Sequence, residues 1–514
     1  MSSDAGILVL TSRERDWWWS MQEVIPALES VWTRIGHSRP ETIHTLCVPL
    51  APESEQDLQT TATKPTSIVI TTVTPETERI ALLLRVQMKL STPMIIYLCG
   101  DATEGFRSFG ALKDVLTERD VFVVSSEADA VATRSCFPNA RVSVIPFPLV
   151  DQFKANYGEQ DCRLTVPRLS YIGRVSEQKN LHTLLFALWI LRTYYGRRRE
   201  ITLDVYGHVD NLGSPNMGLK FLDYDKYLVK LAEALGLDRL VTWHGFKSRD
   251  WLFENVHHQP HILVSPSLHS DENFGSSVLA SLVNGHQVVA TAWGGHFDFE
   301  EWFGQQLILA PVRRSTKGPV LDPISFANAI LRAISRMSSF VDDDALNRAR
   351  AAFSEHSVMT RTAELLNRPV GEPVPLKKSA TFQLIDQRRS VFGGAHKIYE
   401  DYEDPAAQVF FEAYGMREAL TFQEQSSYIL PPWTSCADHV LRVDDPHRGR
   451  QSFALDAEIS EPFDVTLCPS MTTCRLPKSL VRNLVTQGYA FLLPPPDAAE
   501  AGEVLEGGIS EPIR

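Results

Sequence analysis

Three short segments near the middle of the chain hold the residue types that phosphate chemistry needs. In Tyr171-Ile172-Gly173-Arg174-Val175-Ser176-Glu177-Gln178-Lys179-Asn180 a strand pattern gives way to a helix pattern. Gly173 permits a tight turn, and Arg174 and Lys179 set two cations at a strand's C-terminal end, where ligands of open α/β sheets bind. One guanidinium fork and one ammonium suit a diphosphate. The second segment, His269-Ser270-Asp271-Glu272-Asn273-Phe274-Gly275-Ser276-Ser277, leads into an apolar helix. Gly275 lets a ligand approach the backbone, while Ser276 and Ser277 suit a first turn whose N–H groups and dipole attract an anion. Glu272 sits just outside, placed to accept hydrogen bonds from sugar hydroxyls. The third, Val288-Val289-Ala290-Thr291-Ala292-Trp293-Gly294-Gly295-His296, reads as a buried strand ending in a glycine pair that again allows close approach. Taken singly, each has a plain structural reading: solvated loop charges, a capped helix, a core strand.

The elements that must position these residues alternate in a regular way. Short apolar runs are interleaved with helical patterns up to about position 365, as expected for parallel sheets covered by helices. Strands are expected in a first unit at Ile7 to Leu10, Ile43 to Val48, Ser67 to Ile70, Met94 to Leu98, Val121 to Val124 and Val142 to Ile145. A second unit restarts at Arg168 to Ile172 and runs through a last helix at His356 to Asn367. The resulting division is 1–160, 161–368, a Pro-containing linker at 369–379, an accessory α+β module at 380–493 and a disordered tail at 494–514. In the module, Phe463 to Leu467, Lys478 to Thr486 and Tyr489 to Leu493 read as strand, helix and strand, an order that a winged-helix-like arrangement would satisfy.

Composition narrows the chemistry. The 514 residues carry 50 Lys plus Arg against 63 Asp plus Glu, a net charge of −13 that disfavours nucleic acid as main partner. Cys47, Cys99, Cys136, Cys162, Cys436, Cys468 and Cys474 are scattered, with no CxxC, which argues against a disulfide framework or a structural zinc site and for a reducing cytoplasm. The longest apolar stretch, Leu181 to Tyr195, is interrupted by His182 and Thr183 and falls short of the roughly 18 residues a bilayer span needs, so no stable membrane insertion is expected. The sequence gives no metal site.

In order and spacing, Gly173 to Leu185, Leu203 to Gly207, Leu231 to Gly245, Glu272 to Gly285 and Val288 to Gly295 resemble the nucleotide-binding half of the retaining glycosyltransferase family 4. The resemblance implies a GT-B fold, two Rossmann-like lobes with a cleft between them, the first for the acceptor and the second for the nucleotide sugar. It implies transfer of a hexose-type sugar with retention and without metal or cofactor, from a UDP- or GDP-linked donor acting as co-substrate. Arg174 and Lys179 would then hold the diphosphate, supported by Gly173, Gly275 and the backbone of Ser276 and Ser277. Glu272 would meet the donor sugar and act with Arg174 and Lys179 in catalysis. Phe274, Gly294 and Gly295 would complete the donor pocket.

Three departures stand out. A second Glu commonly lies eight residues after the first, and here that position is Ala280. Cys99 stands where many relatives carry His. The loop after the first strand, usually Gly-rich, reads Thr11-Ser12-Arg13-Glu14-Arg15-Asp16-Trp17-Trp18-Trp19. Neighbours on a helix point about 100° apart, so three tryptophans cannot all face one buried side. Arg13, Trp17, Trp18 and Cys99 are therefore the acceptor-side candidates. The leading expectation is a transferase acting on a soluble natural product, oligosaccharide or polypeptide, with a protein or peptide contact through the C-terminal module. The alternatives are an idle GT-B scaffold, favoured by Ala280 and Cys99, and a transferase using a lipid-linked acceptor.

Overall fold

The computed structural model describes residues 6–12, 19–39, 41–48, 65–100, 110–148, 167–195, 201–209, 223–269, 272–315, 318–337, 343–367, 371–392, 405–416, 418–419, 427–437, 440–446, 449–454, 466–468, 471–475, 484 and 491–492. Two six-stranded parallel sheets, each covered by helices, form an α/β molecule of two Rossmann-like lobes in the GT-B arrangement.

The first sheet joins β1 (Ile7–Ser12), β2 (Ile43–Val48), β3 (Ser67–Ile70), β4 (Met94–Tyr97), β5 (Val121–Val124) and β6 (Arg141–Val144) in the order β2-β1-β3-β4-β5-β6. Its inner strands, such as Val-Phe-Val-Val in β5, are apolar on both faces and fully buried, as a sheet with helices on each side demands. The helices are α1 (Trp19–Ser38), α2 (Pro75–Leu82) and α3 (Glu127–Cys136). Their starts follow from sequence. Thr74 and Thr77 form a reciprocal cap ahead of Pro75, and the Ser126 hydroxyl accepts from the Asp129 N–H at 3.2 Å.

The second sheet holds β7 (Arg168–Ile172), β8 (Thr202–Tyr206), β9 (Val241–Gly245), β10 (Ile262–Ser265), β11 (Gln287–Thr291) and β12 (Leu307–Ala310), ordered β12-β11-β10-β7-β8-β9. The chain order reverses between β7 and β10, so the crevice beyond their C-terminal ends is the topological switch point, the place where open α/β sheets bind ligands. Helices α4 (Leu181–Thr193), α5 (Tyr224–Ala234), α6 (Ser276–Val283), α7 (Pro323–Arg336), α8 (Asp343–Ala352) and α9 (Glu355–Glu364) complete the lobe. The apolar run that gives α4 its membrane-like look is explained by burial on nearly every side: ten of its residues are buried, and Trp433 closes on Phe186 with ring centroids 6.0 Å apart. No helix among the described residues is long and apolar enough to cross a membrane.

The lobes are tied along one side. Glu355 at the start of α9 accepts from Ser30 at 2.6 Å and pairs with Arg34 at 2.9 Å, both on α1, and Arg361 donates to the Val144 carbonyl at 2.7 Å.

The stretch read as a linker is held down on the first lobe. Leu376 N–H donates to the Leu116 carbonyl at 3.0 Å, Ser379 N–H to Cys136 at 2.9 Å, and the Glu118 N–H to Val374 at 2.8 Å, with Leu376 buried. Its prolines remove some donors, yet an extended backbone beside a lobe still pairs the rest.

The next segment is not a separate module at its start. α10 (Ala380–Phe392) and α11 (Pro405–Ala413) lie on α3, with Phe382 at 4.6 Å from Phe137 between ring centroids. A hairpin of β13 (Val312–Ser315) and β14 (Gly318–Leu321), which the periodicity does not announce, is extended by β15 (Glu418–Ala419). The remainder is antiparallel. β16 (Ser427–Leu430), β20 (Thr466–Cys468), β21 (Met471–Arg475) and β22 (Phe491–Leu492) make one sheet, and β17 (Thr434–Ala437), β18 (Val440–Asp445) and β19 (Gly449–Ala454) another. Of the expected helix at 478–486 only Leu484 is among the described residues, and the tail at 494–514 lies outside them.

Candidate functional site

Two loops meet at the switch point of the second lobe. After β7 the chain turns at Gly173, whose N–H donates to the Tyr206 carbonyl at 3.0 Å, and passes Arg174 before a helical turn at Glu177–Lys179. Gly207 faces this turn so closely that a Cβ there would lie 1.7 Å from the Gly173 oxygen. Asn180 takes φ +58° to start α4 and donates from Nδ2 to the Pro266 carbonyl at 3.2 Å, while Leu268 N–H donates to the Gln178 carbonyl at 2.9 Å. These bonds clamp the β7 loop to the β10 loop.

The clamp brings together side chains more than ninety positions apart. Lys179 Nζ lies 2.5 Å from Glu272 Oε2, and Arg174 Nη2 lies 2.8 Å from His269 Nε2. The ion pair is largely buried, with side-chain exposures of 16% for Lys179 and 9% for Glu272, so it sits where charge is weakly screened. Burial alone would raise the Glu272 carboxyl. The Lys179 ammonium and hydrogen bonds from Lys179 and Ser267 outweigh it and hold the group well below the usual carboxylate range. Glu272 is therefore an ionised acceptor.

Two histidines complete the cluster. His269 is buried, and desolvation, then Lys179 and Arg174, push it well below its ordinary value, so it meets Arg174 as a neutral acceptor. His296 is fully buried with Nδ1 3.0 Å from the Thr291 carbonyl and Nε2 3.8 Å from Glu272 Oε1. Burial lowers it against the pull of Glu272. With the Nδ1 proton assigned toward Thr291, its Nε2 is left as a lone pair beside the carboxylate. The sequence assigns neither residue a role; the one signal is that His269 opens the second motif and His296 closes the third.

Beyond Glu272 the chain enters α6 through Gly275 at φ +78°, and no side chain caps the helix. A Cβ on Gly275 would meet His296 Cδ2 at 2.8 Å, so both conformation and space require glycine. Ser276 is exposed and Ser277 half-buried at the first turn, presenting N–H groups and the positive dipole end next to the Glu272 loop.

Three of the expected donor-pocket residues are packed inside the protein. Phe274 is buried among Phe147, Phe299 and Phe353, at 5.3, 5.7 and 6.4 Å between centroids, so it anchors the loop in the core. Gly294 and Gly295 are buried too. Gly295 N–H donates to the Glu272 carbonyl at 2.8 Å, and a Cβ on Gly294 or Gly295 would lie 2.1 Å from the Glu272 oxygen or 2.3 Å from the Asn273 oxygen. The close approach that glycine permits is to the Glu272 loop. Trp293 is likewise fully buried, donating from Nε1 to the His269 carbonyl at 2.7 Å.

The C-terminal extension reaches the same place. Tyr414 accepts the Gly294 N–H at its carbonyl at 2.9 Å, lays its ring 5.6 Å from that of Trp293, and donates its hydroxyl to the buried carboxylate of Asp129 on α3. One residue thus links the first lobe to the glycine pair and to Trp293, which itself holds the His269 carbonyl. The lobes also touch directly: Ser125 Oγ donates to the Asn273 carbonyl at 3.2 Å, and Glu127 N–H to Asp298 Oδ2 at 2.9 Å.

On the acceptor side, Arg13, Trp17 and Trp18 lie outside the described residues. Cys99, half-buried after β4, donates its thiol to the Thr71 carbonyl at 3.3 Å; burial, then the Asp129 charge, pushes the thiol up to about 12. It is a protonated packing residue with no nucleophilic character.

Residues 159–313 match the family model described as glycosyl transferases group 1. No curated protein matches the sequence. Among solved structures the chain is similar to the lipopolysaccharide outer core galactosyltransferase WaaB in its apo form, at 14% identity and a TM-score of 0.49 over 70% of this chain and 99% of that one. It is also similar to WaaG, a glycosyltransferase involved in lipopolysaccharide biosynthesis, at 11% identity and 0.46 over 71% and 100%. The α,α-trehalose-phosphate synthase (UDP-forming) from Burkholderia xenovorans, in complex with glucose-6-phosphate, is similar at 10% identity and 0.46 over 70% and 99%.

Proposed function

We propose, from the premise that residues 159–313 carry a glycosyl transferases group 1 domain, that this chain moves a sugar from a nucleotide-sugar donor, UDP- or GDP-linked, to a soluble acceptor, with retention and in the cytoplasm. The observation that carries the reading is the cluster of half-buried Arg174 and Lys179 with buried Glu272 and His269 at the switch point, beside the uncapped start of α6.

Departure of a nucleoside diphosphate develops negative charge on its terminal phosphate. Arg174, Lys179 and the first N–H groups of α6 stabilise that charge without reorganising, in a site of low dielectric. They supply the role a metal ion would otherwise take, and we assign none. Glu272, ionised and fixed by Lys179, accepts hydrogen bonds from the sugar hydroxyls. Lys179 then serves both partners, exchanging part of its contact with Glu272 for a phosphate oxygen as donor enters. His296 stays neutral behind the carboxylate, and Gly275 leaves room for it. Arg13, Trp17, Trp18 and Cys99 remain the acceptor-side assignment from sequence, with Cys99 contributing shape only.

The absence of a second carboxylate at Ala280, half-buried on α6, bears on the nucleotide ribose. A screen of UDP-, GDP-, ADP- and CMP-sugars, following thermal shift and release of nucleotide together, tests the reading. Shift with release supports transfer. Binding without release by any acceptor-supplemented protein supports the scaffold, and neither shift nor release for any donor removes the proposal.

A further inference from the structure

At the opposite edge of the second sheet three histidines converge. His257 ends a π-helical turn at Phe253–His257, His261 stands one residue before β10, and His286 one residue before β11. β10 and β11 run parallel and are neighbours, so His261 and His286 share the sheet's N-terminal edge, whereas His269 and His296 follow the C-terminal ends of the same strands. At about 3.3 Å per residue the strands put the two edges more than 10 Å apart. π-turns within helices often mark functional positions.

All three side chains are buried, at 6, 2 and 7% exposure, and one ring nitrogen from each lies within 4.8 Å of the others. Backbone carbonyls orient two of the rings. His261 Nδ1 is 2.9 Å from the Gln259 oxygen, and His286 Nε2 is 2.9 Å from the His257 oxygen. Each of those nitrogens carries the proton, so His261 Nε2 and His286 Nδ1 carry the lone pairs. His261 Nε2 is buried and has no hydrogen-bond partner among the described residues. An imidazole whose far nitrogen donates to a backbone carbonyl, with its other nitrogen buried in a group of three histidines, is the arrangement that metal-ligating histidines adopt.

We propose that His257, His261 and His286 bind a zinc ion that ties the π-helical turn to the starts of β10 and β11. Three neutral imidazoles suit a borderline cation such as zinc, with a water as fourth ligand. Burial, together with their mutual proximity, keeps all three uncharged, lowering His257 to about 3 and His261 to about 4, so no proton competes with the metal at neutral pH. Arg168, the nearest cation acting on His261, is already paired with Asp204 at 2.6 Å. The site stands apart from the glycosyl-transfer cluster and does not depend on the function proposed for it.

The test uses the full chain, stripped with chelator and dialysed against zinc. One equivalent of zinc per chain is expected to remain, with a rise in Tm that chelator reverses, and His261→Gln and His286→Gln should each lose the equivalent and the rise. X-ray absorption on the wild-type protein, which needs no variant to fold, should show a nitrogen shell at about 2.0 to 2.1 Å with three imidazoles. No retained zinc, zinc retained unchanged in His261→Gln, or a shell with fewer than three imidazoles overturns the proposal.

Discussion

The two edges of the second sheet gather buried histidines in the same strand neighbourhoods, and they differ in what the imidazoles face. At the C-terminal edge His269 and His296 meet Arg174, Lys179 and Glu272. At the N-terminal edge His257, His261 and His286 meet one another. Burial drives all five toward the neutral form. Side-chain type and burial are therefore shared, and counter-charge divides the roles. A buried carboxylate held ionised by an ammonium prepares one edge for a polar, anionic ligand, and three imidazoles buried together prepare the other for a cation.

Variants can break this contrast. The largest effect is expected at the charged edge: Lys179→Ala or Glu272→Gln should lower sugar-transfer turnover by about 100-fold or more, the cost typical of losing one stabilising group at a developing charge. Far-ultraviolet circular dichroism should be unchanged. His261→Gln should leave the zinc-free turnover within about twofold, and an equal loss in both classes would erase the distinction.

Next comes the backbone contact behind Glu272. A Cβ introduced by Gly295→Ala must move the Asn273 carbonyl, 2.3 Å away, so stability should fall by roughly 1 to 3 kcal/mol and turnover with it. Urea denaturation and kinetics on the same preparation measure both.

Tyr414→Phe removes the hydroxyl that Asp129 accepts but keeps the ring on Trp293. A loss of about 1 to 3 kcal/mol is expected in urea denaturation, with a smaller fall in turnover than for Gly295→Ala, because the Gly294 bond uses the Tyr414 backbone.

The smallest effect concerns pH. Burial raises Asp298 to about 6 despite the Glu127 N–H, and the Glu127 charge adds to the rise. The folded state thus holds this proton more tightly than the unfolded chain, so the stabilisation is full below about pH 4 and is lost as pH rises through about 6. Asp298→Asn should flatten the stability profile across that window by about 1 to 2 kcal/mol, a figure reduced for partial solvent screening.

The sequence shows the alternation of both lobes because fully buried parallel strands are short apolar runs that only a helix can separate. Gly173, Arg174, Lys179, Glu272 and Gly275 stand out because loop chemistry interrupts that alternation at strand ends. What those loops do next is less visible. An aromatic in a loop faces ligand or core, and Phe274 faces core. A glycine announces a close neighbour without naming it, and for Gly294 and Gly295 the neighbour is the Glu272 loop. The prolines of 369–379 suggest a tether, yet the main chain between them pairs with the first lobe, a contact no side-chain pattern records. His257, His261 and His286 escape notice because helix and strand spacing do not join them. Only the alignment of β10 with β11 does.

The most direct test of the central claim is nucleotide release and anomeric configuration, followed by proton NMR, for the wild-type chain and for Lys179→Ala with the donor that gives the largest thermal shift. The account predicts a retained glycosidic product from the wild type and turnover about 100-fold lower in the variant. Equal turnover in the two proteins, or an inverted product, would contradict it.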